Sequence, residues 1–96
     1  MEIEFDPAKR KWTLKHRSLD FEDDKEVLRG LQFTAQDLRR DYGEPRHITV
    51  GMLSGRMMVV VWTPRVRNGE TIHRILSMRK ANDREKARFQ NQFRQA

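Results

Sequence analysis

The 96-residue sequence contains no cysteine, so it can form neither a disulfide bond nor a zinc site built from thiolates. Its longest apolar run, 57–62, is far shorter than the roughly 20 residues that a helix needs to cross a bilayer. The N-terminal residues MEIEFDP show neither the basic nor the apolar segment of a secretory signal. We therefore expect a cytoplasmic protein that does not associate with membranes.

The common catalytic motifs are missing as well. The sequence has no phosphate-binding loop, no dinucleotide fingerprint and no nucleophile elbow. Its three histidines, His16, His47 and His73, are scattered, and none has a partner at metal-ligand spacing. The acidic run 22–24 is explained by the first turn of a helix, where the helix dipole favours carboxylates. The sequence thus predicts no metal and no cofactor.

Positive charge is what the sequence has in excess. It holds 20 lysines and arginines against 14 acidic residues, a net charge of +6 at pH 7. This excess favours an anionic partner, which can be nucleic acid, an acidic protein or a membrane surface. Polar amides break up the apolar side of the last helix, which argues against membrane binding. The apolar residues recur in periodic runs, so we expect a single folded domain over 1–96.

The first third of the chain predicts a strand followed by two helices. The stretch EIEF alternates in polarity, and Asp6 before Pro7 is typical of a helix start, here over 7–17. A second helix is predicted from an N-cap at Asp20 to a stop at Gly30. The side chains predicted to face the core are Ala8, Trp12 and either Leu14 or the stem of Lys15 in the first helix, and Phe21, Val27 and Leu28 in the second.

The middle of the chain predicts strands joined by tight turns. Residues 31–35 fit a short strand, and 36–45 fit a polar loop. The dipeptides SG at 54–55 and NG at 68–69 are two-residue hairpin signals between apolar runs. Because 57–62 is apolar throughout, it is predicted to be a central strand covered on both faces.

The last third predicts one more strand and a helix. Residues 70–79 complete the meander, and Asn82 with Glu85 forms a capping-box pattern that begins the helix. The predicted class is α+β, with an antiparallel sheet and the order β-α-α-β-β-β-β-α. The residues predicted to pack the last helix on the sheet are Ala87, Phe89 and Phe93.

Arginines near strand ends are the candidates for chemistry. Regular alternation along 70–79 places Ser77 and Arg79 on one face of the strand and Arg74 on the other. Arg46 and Arg65 lie at the ends of neighbouring strands, where they can approach Arg79. Such a cluster would repel itself without an anion, and guanidinium forks match phosphate oxygens. The pattern leaves open that these are ordinary solvated charges.

Five phrases in order resemble the BrnT family of type II toxins. They are EFDPAKR, LDFEDD, DYGEPRHITVG, GRMMVVVWTPR and HRILSMRKANDREKARF, and together they extend from Phe5 to Phe89. Members of this family are small ribonucleases related in fold to the RelE toxins and encoded beside a BrnA antitoxin. The resemblance therefore implies a RelE-like α+β domain, in which an antiparallel meander packs with two N-terminal helices and one C-terminal helix.

The resemblance also implies an activity and partners. It predicts cleavage of RNA (mRNA) without a metal, in which the substrate's own 2′-hydroxyl attacks the phosphate, so that translation and growth are inhibited. It predicts a BrnA-type antitoxin that neutralises the toxin in a hetero-oligomer, with DNA contacted only through the antitoxin. The alternative is a non-catalytic basic module that binds RNA or protein, such as an inactive homologue that acts as a co-repressor subunit.

Roles follow from the resemblance residue by residue. Arg65 and Arg79 are predicted to stabilise the phosphate or the transition state. Glu44 is either a proton acceptor or a residue that orients an arginine. Because Arg74 is expected opposite Arg79, one of the two is expected to be structural, and Arg79 is favoured for the site. The predicted RNA contacts are Arg46, Lys80, Arg74, Ser77, Lys9 and Arg17.

One segment departs from the family pattern. Many members carry a Lys-His pair ahead of a glycine, and an ungapped alignment puts His16, Arg17 and Ser18 at those three places. A gapped alignment restores Lys15 and His16 to the motif instead. We therefore assign no catalytic role to His16. Further on, Arg84 and Arg88 form a like-charge pair one helical turn apart, which predicts an acidic antitoxin surface against this helix.

Overall fold

The structure is a computed structural model that describes residues 2–94, with side chains described as far as residue 92. It contains five strands and three α-helices among these residues, and the class is α+β as predicted. The elements in chain order are β1 (Ile3–Phe5), α1 (Pro7–Arg17), a 3₁₀ turn (Phe21–Asp23) that runs into α2 (Asp24–Arg29), β2 (Gln32–Gln36), β3 (His47–Leu53), β4 (Arg56–Arg67), β5 (Glu70–Lys80) and α3 (Asp83–Arg94).

The strands form one mixed sheet in the order β1-β5-β4-β3-β2. Strands β2 to β5 are antiparallel neighbours, but β1 lies parallel to β5. The prediction of a purely antiparallel sheet is therefore wrong at this edge. The reason is that α1 and α2 separate β1 from the meander, and a strand that leaves through helices can pair in parallel. Opposite charges at the paired positions Glu4 and Arg74 support this register.

Both predicted hairpin turns are present. Ser54 and Gly55 have φ of 50° and 79°, and Asn68 and Gly69 have φ of 52° and 80°. Positive φ at both central residues is the type I′ geometry, whose twist matches that of the flanking strands. These turns fix the register of β3, β4 and β5, and they make β4 the central strand, as predicted.

The apolar residues of β4 serve two cores because β4 is covered on both faces. Even-numbered residues, such as Met58 and Val60, pack with Phe21 and Val27 under the N-terminal helices. Odd-numbered residues, such as Met57 and Val59, pack with Phe89 of α3. We call these two sides of the sheet the α1–α2 face and the α3 face.

A β-bulge changes which side chains of β5 share a face. Val61 pairs with Ser77, but the next residue, Trp62, pairs with Ile75, so Leu76 has no partner in the register. Alternation therefore resets at Leu76. Arg74 pairs with Thr63 and consequently lies on the α3 face together with Ser77 and Arg79. The prediction that Arg74 faces the other way is wrong because the strand is not regular.

The helices confirm some predicted core residues and not others. Phe21, Val27 and Phe89 are buried, whereas Leu28 is only half-buried. In α1 the buried residue is Thr13, whose hydroxyl donates to the carbonyl of Lys9. The side chains predicted to face inward but found exposed are Ala8, Trp12, Leu14 and Ala87, and the side chain of Phe93 lies outside the described residues.

The exposure of Trp12 has a local cause. Its ring packs on His16 at 4.7 Å between centroids, and the guanidinium of Arg17 lies 5.1 Å from the ring centroid. These contacts lie on the surface of α1. The tryptophan therefore packs against basic residues of its own helix and not against the sheet.

Asp24 is a buried carboxylate at the start of α2. It is 1% exposed, and neither of its carboxylate oxygens has a hydrogen-bond partner among the described residues. Burial raises the pKa of Asp24 to about 6, because the charged form loses its hydration and gains no compensating contact. Its position near the helix N-terminus was predicted, but its burial was not.

The substitution Asp24→Asn is expected to stabilise the fold at pH 8 and to have little effect at pH 4. The folded pKa lies above the unfolded value near 4, so wild-type stability falls as pH rises from about 4 to 6, by up to about 3 kcal/mol. Chemical denaturation of both proteins at the two pH values measures this difference. Asp23→Asn, at the exposed neighbour, is the control, and an equal gain at pH 4 and pH 8 would contradict the explanation.

Candidate functional site on the α3 face

Four polar side chains form a line across the α3 face. Cross-strand register places Arg79 beside Val59, Ser77 beside Val61, Arg74 beside Thr63, and Arg65 beside Ile72. Successive members are therefore two β4 residues apart, or about 7 Å along the strand, and the whole line spans about 20 Å. We call Arg79, Ser77, Arg74 and Arg65 the arginine track. Arg65 and Arg79 stand at its opposite ends, so the structure does not bring them to a single point.

Arg79 is fixed by a two-point ion pair with α3. Its two terminal nitrogens donate to the two carboxylate oxygens of Glu85, each at 2.7 Å. Glu85 also accepts from the backbone N–H of Asn82, while the Asn82 side chain accepts from the N–H of Glu85. The predicted capping box is thus confirmed, and its acid has a second function. Arg79 lowers the pKa of Glu85 to about 2, so the pair is ionised at neutral pH.

The other two arginines of the track each lie beside a single carboxylate oxygen, and Glu4 accepts its hydrogen bond from Arg67 at 2.8 Å. A terminal nitrogen of Arg65 lies 3.0 Å from a carboxylate oxygen of Glu44, and one of Arg74 lies 3.6 Å from Glu4. In each pair the carboxylate is less exposed than the arginine: Glu85 is 24% exposed against 43% for Arg79, and Glu44 29% against 39% for Arg65. The acids therefore anchor the guanidinium groups, whose remaining N–H groups face solvent.

The loop 37–46 adds a cluster that sequence reasoning missed. Asp37 has a side chain only 2% exposed, and it accepts two bonds from the guanidinium of Arg39 and one from the hydroxyl of Tyr42. These bonds hold the pKa of Asp37 well below its usual range. Glu85 raises the pKa of Arg79, and the charge of Arg39 partly offsets this rise. The loop is joined to the Arg65 end of the track, because the N–H of Asp37 donates to the carbonyl of Arg46 and Glu44 pairs with Arg65.

The same loop stacks arginines on a tyrosine. The guanidinium of Arg46 lies 4.1 Å from the centroid of the Tyr42 ring, and that of Arg40 lies 4.8 Å from it. The Nε of Arg46 is buried and has no hydrogen-bond partner within the described residues. The loop is tied to β4 because the Thr63 hydroxyl donates to the carbonyl of Pro45 at 2.6 Å. The signal in the sequence was RRDYGEPR, in which arginines flank the only tyrosine.

Comparison with known protein families shows which family the chain belongs to. Residues 5–85 match the family model described as ribonuclease toxin, BrnT, of type II toxin–antitoxin system. The chain belongs to the BrnT family. A search of curated proteins finds no match to it. The family resemblance predicted from the five sequence phrases is confirmed, and with it a toxin that acts on RNA and has an antitoxin partner.

The remaining predicted RNA contacts of this BrnT-family chain lie away from the track. Lys80, at the end of β5, pairs with Met58 and lines a shallow depression with Arg56 and with Lys86 of α3, beyond the Arg79 end of the track. Lys9 is exposed on α1. Arg17, at the end of α1, donates to the backbone carbonyl of Met78 at 2.9 Å. These three cations would meet only a longer RNA strand.

The structure also bears on the two alignments of the BrnT Lys-His segment. Ser18 ends α1 with φ of 57°, in the left-handed region that favours glycine. This is the position of the family's glycine in the ungapped alignment. A gap at Arg17 leaves Ser18 at the same place in the other alignment, so both alignments fit this geometry.

The buried and stacked histidines lie on the α1–α2 face, behind the track. The ring of Trp62 stacks between His73 at 3.5 Å and His47 at 4.7 Å. Burial lowers the pKa of His73, with a smaller contribution from His47. Within residues 2–94, no cluster of three or more histidine or acidic side chains suits a metal ion. No described helix is long and apolar enough to cross a membrane.

The substitution Glu85→Gln is expected to destabilise the protein by about 1–2 kcal/mol at pH 7, which allows for the partial exposure of Arg79. Because the folded pKa of Glu85 is lowered, its contribution is complete above pH 4.5 and disappears as pH falls through about 2. The stability difference between variant and wild type should therefore shrink between pH 5 and pH 2. Denaturant titrations at several pH values measure it.

Asp83→Asn provides the matched control, since Asp83 is in the same helical turn, fully exposed and 3.9 Å from Lys86. It is expected to change stability by less than about 0.5 kcal/mol. Equal losses of stability in the two variants would show that the ion pair between Glu85 and Arg79 adds nothing to the free energy of unfolding.

Proposed function

We propose that this chain is an endoribonuclease that cleaves mRNA without a metal, and that the arginine track is its RNA site. The observation that carries the proposal is the line of guanidinium groups on one face, each anchored by a less exposed carboxylate. Anchored arginines meet phosphates without losing much side-chain freedom, which is how a site stabilises developing charge at low cost in reorganisation.

The spacing of the track supports different roles for Arg65 and Arg79. Because Arg65 and Arg79 are about 20 Å apart along the sheet, they contact different phosphates of an extended strand. We assign the reacting phosphate to Arg65, which has one contact to Glu44 and so has donors left for a bidentate bond. Arg79, both of whose terminal nitrogens donate to Glu85, contacts a different phosphate further along the RNA strand. Arg46, Arg74 and Ser77 supply further backbone contacts.

The chemistry at Arg65 follows from these contacts. The substrate's 2′-oxygen attacks the adjacent phosphorus and the bond from phosphorus to the 5′-oxygen breaks. The leaving 5′-oxygen takes up a proton from water, so the products are a 2′,3′-cyclic phosphate and a 5′-hydroxyl. Arg65 stabilises the negative charge that accumulates on the phosphorane. Glu44 orients Arg65 in the free protein. Glu44 keeps its bond to Arg65 when the phosphate binds to the remaining N–H groups, and its other carboxylate oxygen accepts the 2′-hydroxyl proton.

The family supports the remaining assignments. We propose a RelE-like fold, a BrnA-type antitoxin as the partner in a hetero-oligomer, and contact with DNA only through that antitoxin. Arg17, Lys9 and Lys80 serve as outlying contacts for longer RNA. Cleavage of mRNA in the cytoplasm would stop translation and arrest growth.

A second candidate function has its own support. Two carboxylates near the track, Glu85 and Asp37, are held ionised by arginines far below neutral pH, which makes them weak bases. A face that binds phosphate but transfers protons poorly also suits an RNA-binding module without catalysis. Such a module retains intact RNA, with an affinity that falls steeply as salt rises.

The proposal predicts cleavage of RNA by the purified protein in excess EDTA. Arg65→Ala is expected to lower kcat by roughly 10²–10³-fold, as removal of one charge-stabilising donor does. Arg79→Ala should mainly raise KM, because it weakens binding of a phosphate that does not react. The assay follows a labelled RNA and identifies its 2′,3′-cyclic phosphate ends.

Arg29→Ala, on the exposed surface of α2, is the control for net charge and should behave as wild type. Circular dichroism of each variant checks the fold. Loss of cleavage in EDTA, or an equal effect of Arg29→Ala, would contradict the proposal. If the wild-type protein binds RNA but leaves it intact, both as free RNA and on translating ribosomes, the chain is an RNA-binding module without catalysis.

A further inference from the structure

Strand β2 leaves one edge of the sheet open. It pairs with β3 on one side and is the last strand in the sheet order, so backbone donors and acceptors of β2 line the outer edge. Residues 31–36, LQFTAQ, carry no charge and no proline. The opposite edge strand, β1, by contrast carries Glu2 and Glu4 in and beside the strand. Proteins usually protect an edge with such charges, and the β2 edge lacks them.

Apolar side chains surround this edge. Leu31 and Leu38, just before and just after β2, are 61% and 78% exposed. On the α3 face, the edge continues into a groove of about 160 Å³ between the sheet and α3. The apolar residues that line this groove are Phe33, Ala35, Ile48, Val50 and Phe89. An extended peptide binds to a free strand edge that has pockets for its alternate side chains. The β2 edge has such a groove beside it and a leucine at each end.

Positive charge marks the ends of the groove. Arg88 lines it together with Glu85, whose charge is compensated by Arg79. Arg39, which is 75% exposed, follows β2 in the loop that leads to Glu44 and Arg65. An extended ligand there must combine apolar side chains with acidic ones. RNA does not fit the apolar groove. A second copy of this chain, paired edge to edge, would bring like-charged arginines together.

We propose that the outer edge of β2 binds an extended, acidic segment of the antitoxin as a sixth strand. Alternate side chains of that segment fill the groove and contact Leu31 and Leu38, and its carboxylates pair with Arg39 and Arg88. The proposal requires only the antitoxin partner that the family implies, and not the cleavage chemistry of the track. Arg39 lies in the loop whose Glu44 pairs with Arg65, so binding at the edge acts on an element of the RNA site.

The test measures affinity for the antitoxin encoded beside this chain, by calorimetry on the full-length proteins. Leu38→Lys and Ala35→Lys are each expected to weaken binding by at least about tenfold, as loss of a central interface residue does. Both positions are exposed, so the fold should be retained. Val66→Lys replaces another exposed apolar residue, 73% exposed near the far end of β4, and should bind as wild type.

Hydrogen exchange gives a second readout that does not depend on substitutions. Amides of 32–36 should exchange more slowly in the complex than in the free toxin, because a sixth strand protects them. Unchanged affinity in both lysine variants, together with unprotected β2 amides, would overturn the proposal. So would protection in the free toxin that grows with concentration and accompanies a dimer in sedimentation, since the occupant would then be a second copy.

The two proposals fail separately. Leu38→Lys should cleave or bind RNA as wild type does when no antitoxin is present. It should, however, resist inhibition by the antitoxin. A toxin that never cleaves RNA can still show the edge interaction through affinity and exchange.

Discussion

The carboxylate of Glu85 joins the last helix to the sheet, and much of the α3 face depends on it. One oxygen closes the capping box with Asn82, and both oxygens hold the guanidinium of Arg79. Helix position and arginine position are therefore set by the same group. Because α3 also packs Phe89 over Val59, a shift of the helix would move the end of the arginine track and open the apolar groove next to it. The helix, the groove and the track are thus mechanically linked.

The rest of the track repeats this principle with different elements. Glu44 comes from a loop and Glu4 from the parallel strand β1, while Asp37, in the turn after β2, holds Arg39 outside the track. In each pair the carboxylate is the less exposed partner and the arginine the more exposed one. A surface arginine without an anchor would gain little from a phosphate after losing its side-chain entropy. The ion pairs therefore hold the arginines of the α3 face in place in a protein with a net charge of +6.

Features encoded by neighbouring residues were predictable from the sequence. The turns at 54–55 and 68–69, the caps at Asp6 and Asn82, and the central position of β4 all follow from local backbone preferences or from a short apolar run. Features set by distant contacts were not. The bulge at Leu76 moves Arg74 to the α3 face, and no residue in HRILSMR signals it. The parallel pairing of β1 and the Asp37 cluster likewise depend on contacts that only the folded chain makes.

Arg39 connects the two surfaces that the structure separates. It is anchored by a buried carboxylate like the members of the track, yet it follows the uncharged strand β2 at the edge of the sheet. Arg39 lies in the loop that carries Glu44, the partner of Arg65, so a ligand on the edge and a phosphate at Arg65 would both contact this loop. Competition between an acidic protein and RNA then needs no overlap of their main contacts. Such regulation acts through the charge of Arg39 between the two surfaces. The edge of β2 can therefore remain apolar while the arginine track remains basic.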